Sequence, residues 1–115
     1  MPKFITNKEY MNQFQQSVDK AGQERIVLKI YLNKQFQKLN QLIETISNET
    51  FWQVFPEILG IDAKLTLLTE MISFDDFSNE EIIRIVENDY QDYFKELCGY
   101  DLKMKDKYSM IFNLV

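Results

Sequence analysis

The chain has 115 residues, 45% hydrophobic and 27% charged, with a net charge of -5, no histidine and one cysteine. This balance fits one folded domain and excludes wholesale disorder, an intrachain disulfide and any imidazole-based metal or nucleophile site. No stretch approaches the ~20 apolar residues of a membrane span, and MPKFITNKEYMNQ has no apolar core of a signal peptide, so a soluble, intracellular, cytoplasmic protein is expected.

The charge is polarised. Acids and bases balance over residues 1–74. Residues 75–101 hold nine acids against Arg84 and Lys95, and the remainder is slightly basic. One acidic segment therefore carries the net charge.

In chain order, ITNKEY opens the first helix. Thr6 and Glu9 have the spacing of a capping box, flanked by Ile5 and Tyr10 as a hydrophobic staple. The helix is expected over 7–20, with Met11, Phe14 and Val18 inward and Gly22 in its C-terminal turn. Over 23–47, Leu28, Leu32, Phe36, Leu39, Ile43 and Ile46 recur at steps of three and four, which describes a long helix. Its first part, RIVLKIYL, is apolar nearly all round and β-branched. A buried strand over 25–32, pairing with a strand in 107–115, is the minor alternative.

FWQVFPEILG follows. A short helix capped near Asn48 is expected to end or kink at Phe55, because Pro56 disfavours helical geometry before it. Asp62 then caps a helix over 63–73, with Leu65, Leu68 and Ile72 inward. Ser78 and Glu81 form a second capping box, with Phe77 and Ile82 as its staple. That helix carries Ile82, Val86, Tyr90, Tyr93 and Leu97 on one face and ends at Gly99. A last helical pattern runs from Met104 to Val115. The expected fold is an all-α bundle of about six helices in a single domain, residues 1–115.

The chemistry is limited. Gly22, Gly60 and Gly99 stand apart, so no glycine-rich phosphate loop exists. Cys98 closes an apolar face and reads as a structural thiol. The acids offer no paired carboxylates on facing helices, so no metal or other cofactor is expected. Direct nucleic acid binding is disfavoured, because the candidate recognition helix is the most acidic element of the chain. No motif resembles that of a known family.

Two features remain. Asp75, Asp76, Glu87, Asp89, Asp92 and Glu96 form an acidic surface suited to a basic protein partner, although acids also suit a solvated helix face near its N-terminus. Trp52 points about 100° away from Phe51 on a helix, so it packs on a second layer of the core, the favoured reading, or stands at the surface as a binding hot spot. The functional expectation is a non-enzymatic inhibitor, immunity or regulatory protein that occludes a larger basic partner such as a nucleic-acid-acting enzyme. The alternative is a homo-oligomeric structural or chaperone-like assembly protein, suggested by the apolar excess of 23–47 and of the C-terminal MIFNLV. A small enzyme using carboxylates alone is the remote third.

Overall fold

The computed structural model describes residues 4–47, 49–74, 76–98 and 110–114. Among these, four α-helices and one two-stranded sheet follow in the order β1 (Phe4–Thr6), α1 (Lys8–Lys20), a 3₁₀ turn (Gln23–Arg25), α2 (Ile26–Glu44), α3 (Phe51–Ile72), α4 (Asn79–Cys98) and β2 (Phe112–Leu114). The all-α expectation stands, but the six-helix count does not. The described residues of the predicted third and fourth helices are one element, α3.

β1 and β2 pair antiparallel, with Phe4 opposite Leu114, Ile5 opposite Asn113 and Thr6 opposite Phe112. Of the stretch 107–115, Met110 and Ile111 are helical, as the main reading expects, while Phe112–Leu114 is a strand whose partner is β1 and not 25–32; residues 107–109 and 115 lie outside the described residues. RIVLKIYL is helical from Ile26 onward. Its inward residues, Leu28 and Leu32, have a continuous continuation in Phe36, Leu39 and Ile43 on the same stripe, and that stripe outweighs β-branched propensity. Residues 99–109, which carry the rest of the final predicted helix and Gly99, lie outside the described residues.

The strand also moves the first cap. Thr6 is held opposite Phe112, and its hydroxyl bonds Asn40 Oδ1. Asn7 caps α1 instead, accepting from the Glu9 amide at 3.0 Å. At the other end Gly22 has φ +87°, a conformation that favours glycine, and its amide closes the turn on the Asp19 carbonyl. The second cap forms as predicted: the Glu81 amide donates to Ser78 Oγ at 3.2 Å.

α3 is the centre of the molecule and packs against α1, α2 and α4. Phe55, Ile58, Leu59, Ala63, Leu65 and Leu68 are all buried along it. The helix runs through Pro56 and Gly60 without a break, contrary to expectation. Proline at position 56 removes one hydrogen bond, the one to the Trp52 carbonyl. Trp52 and Pro56 are both exposed, so that carbonyl lies on the solvent side, where water can serve it. The core on the opposite face is continuous, and breaking the helix would expose it. Asp62 is consequently not a cap. It lies one turn after Ile58, on the inward face.

Candidate functional site

Continuity of α3 arranges its residues in rows. Trp52, Pro56, Gly60 and Lys64 follow at four-residue steps, so they form one ridge drifting slowly round the helix. From Pro56 to Lys64 this ridge lines a groove of about 960 Å³. α2 supplies Lys38 and Leu42 as one wall, and α4 supplies Tyr90 as the other. Gly60 keeps the groove open. A Cβ there would already lie 3.7 Å from Tyr90 Cε2, so a larger side chain would meet the Tyr90 ring.

Trp52 stands at the head of this ridge and is 76% exposed. The core-packed reading of Trp52 is thus corrected: the ring lies on the solvent side. Phe51 is the residue that turns inward. It meets Trp52 edge to face at 5.2 Å and stacks on Phe55 at 5.1 Å, and Phe55 meets Phe112 of β2 edge to face at 6.4 Å. The aromatic surplus of this stretch is therefore one chain of rings from the surface to the closing strand. Such a chain fixes the helix end that presents Trp52.

Among the described residues, Asp76, Glu87, Asp89 and Asp92 do not share one face. Glu87 accepts a hydrogen bond from the Tyr31 hydroxyl and pairs with Lys64 Nζ at 3.1 Å. It therefore ties α4 to α2 and α3. Lys64, mostly buried, also lies 4.6 Å over the Tyr90 ring. Burial pushes the Glu87 carboxyl up, but the Tyr31 hydrogen bond and the nearby Lys64 and Lys38 outweigh it, and the net shift is down. Tyr31 is raised in turn, first by burial and then by Glu87.

Asp89 and Asp92 are exposed. Helical geometry turns them about 140–160° away from Glu87, so they face solvent on the side of α4 remote from α2. Asp76 is exposed on the α3–α4 link. Asp75 and the side chain of Glu96 lie outside the described residues.

Because α3 and α4 form an antiparallel hairpin, with Gly60 and Lys64 beside Tyr90, the start of α3 lies towards the C-terminal end of α4. Trp52 therefore lies at the end of α3 beyond the groove, and Asp89 and Asp92 lie about level with the middle of α3. Asp76 belongs to the other end.

The groove and the place of Gly60 in it are not legible in the sequence, since both depend on α3 running through Pro56. The pairing of Tyr10 with Asp62 was missed as well. The signal for that pair was present: Asp62 shares a helical row with Ile58 and Leu65, once the helix is allowed to be continuous.

A family model, described as a family of unknown function (DUF7006), matches residues 5–115. The chain belongs to the DUF7006 family. No curated protein and no solved structure matches it. The match takes in all of β1 except Phe4, and β2, the four described helices and the residues that line the groove. Among the described residues, no helix is long and apolar enough to cross a membrane.

Proposed function

We propose that this chain is a non-enzymatic protein-binding module that docks on a larger basic partner through Trp52 and the adjoining groove. The observation that carries the proposal is the exposure of Trp52 at the head of a ridge leading into an apolar-floored groove. Tryptophan is the residue type most enriched among binding hot spots, because burying its large ring on a partner desolvates much apolar area. The Phe51 ring, stacked on Phe55, meets the Trp52 ring edge to face and gives it one fixed neighbour before binding.

The exposed acids of α4 supply long-range attraction to a basic surface and speed the encounter, while the Trp52 contact sets how long the complex lasts. Inhibitors of nucleic-acid-acting enzymes and immunity proteins are of this kind, and occlusion of such a partner is the role we assign.

The test is affinity capture from the native host, with wild type and Trp52→Ala in parallel, at low salt and at high salt. The expected result is a partner retained by wild type, lost with Trp52→Ala and weakened by salt. Absence of any wild-type partner at either salt, or equal capture by the variant, overturns the proposal.

A further inference from the structure

At the far end of the molecule from Trp52, α2 begins with an apolar face turned outward. Ile26, Val27 and Ile30 are 60%, 41% and 53% exposed, and Phe74 on the α3–α4 link is 54% exposed. These residues are not core positions, since the inward stripe of α2 is already filled by Leu28 and Leu32. A cluster of this kind marks a surface that is covered in use.

The neighbouring charges say by what. Arg25 Nη1 donates to the Phe77 carbonyl at 2.8 Å and to Asn79 Oδ1 at 3.0 Å, and Tyr31 bonds Glu87. α2 and α4 therefore run side by side and parallel, with residue 25 level with 79 and residue 31 level with 87. Glu80, seven residues before Glu87, lies about 20° round α4 from it, on the side facing α2. It is exposed and level with Ile26. Lys34 is seven residues after Val27, so it continues the same outer row of α2 and is exposed as well. The surface thus has an acid at one end, a cation at the other and Ile30 midway.

That arrangement is complementary to itself. A two-fold axis through Ile30, perpendicular to α2, brings residue 34 of one copy to the level of residue 26 of the other, beside its Glu80. We propose that this face is a two-fold interface with a second copy of the chain: Ile26, Val27 and Ile30 meet across the axis, and Lys34 of each copy faces Glu80 of the other. This goes beyond the partner-binding reading and uses a different end of the molecule, so either one can fail without the other.

Sedimentation velocity from low micromolar to near-millimolar concentration tests it. Wild type should dimerise. Ile30→Glu places two like charges at the axis and should weaken the dimer by about a hundredfold, because one substitution acts twice at a two-fold contact. Ile30 is exposed, so circular dichroism should be unchanged; should the glutamate variant lose helix, Ile30→Gln is read in its place and should also weaken the dimer. Lys34→Glu and Glu80→Lys should each weaken it, and the double reversal should restore it. A wild-type monomer at every concentration overturns the proposal and leaves the face to a different partner. So does a folded position-30 variant that dimerises as wild type, or a double reversal no better than either single one.

Discussion

The Tyr10 hydroxyl of α1 donates to the Asp62 carboxylate of α3, 52 positions along the chain, with both residues buried. A carboxylate in the centre of a helix bundle is costly to desolvate, and a donor brought in by a neighbouring helix offsets that cost. The bond also fixes how α1 docks on α3. Burial pushes the Tyr10 hydroxyl well above its usual range, and the Asp62 charge and hydrogen bond push it further the same way.

Tyr10→Phe keeps the ring but removes the donor, and should cost about 1–3 kcal/mol in urea unfolding at neutral pH. The sign of the pH effect follows from the raised folded-state value. The stabilisation is complete below the ordinary tyrosine value of 10.0 and is lost as pH rises through the higher folded value. The gap between wild type and Tyr10→Phe should therefore narrow as pH rises beyond 10.0. A gap that widens there would contradict the assignment.

Gly60 lies inside a helix, where glycine is less favourable than alanine by roughly 0.5–1 kcal/mol. A Cβ at this position falls 3.7 Å from Tyr90 Cε2, an ordinary contact distance. Gly60→Ala should thus raise stability by about the propensity difference. A thermal melt showing clear destabilisation would mean that α3 and α4 approach more closely than described.

Glu87 joins three helices at a partly exposed position, so its contribution is discounted for solvent screening and should stay below about 1 kcal/mol. Its folded value lies below the ordinary 4.5, so the contribution is present above that pH and is lost as pH falls below it. Glu87→Gln should melt slightly below wild type at neutral pH. The difference should shrink in acid, from about pH 4.5 downward. A difference that is independent of pH would remove the ion pair with Lys64 from the account.

What could be read from the sequence divides by range. The inward stripes of α1 and α2, the burial of Ile82 and Val86 on α4, the Ser78 cap and the Gly22 turn were legible because each depends on residues within two turns of one another; the side chains of Tyr93 and Leu97 lie outside the described residues. Pro56 misled because its rule is local, whereas the continuous burial from Phe55 to Leu68 is decided by three neighbouring helices. That one error hid the groove, the row from Trp52 to Lys64 and the burial of Asp62. The β1–β2 pairing was out of reach for another reason: two three-residue strands at opposite ends of the chain carry no periodicity to find. The exposure of Trp52 follows from which flank of α3 its neighbours leave open, and sequence spacing does not encode that. The acidic segment was visible as charge, but only the helix geometry shows that Glu87 is spent within the fold while Asp89 and Asp92 face water.

Those two aspartates give the electrostatic prediction. Asp89→Lys with Asp92→Lys should slow association with a basic partner at low salt and leave dissociation nearly unchanged. Stability should move by only tenths of a kcal/mol, roughly, because both positions are exposed. An unchanged association rate at low salt would make this face a solvated surface and nothing more.

Trp52 is the only tryptophan in the chain, so its fluorescence reports on the proposed docking surface without interference. The most direct measurement is quenching of that fluorescence by iodide and acrylamide, first on the free protein and then on the complex with the captured partner. The expected result is a solvent-accessible, readily quenched indole in the free protein, and a blue-shifted, protected one in the complex. An indole already protected in the free protein, or one equally quenched after the partner binds, would contradict the claim that Trp52 is the anchor.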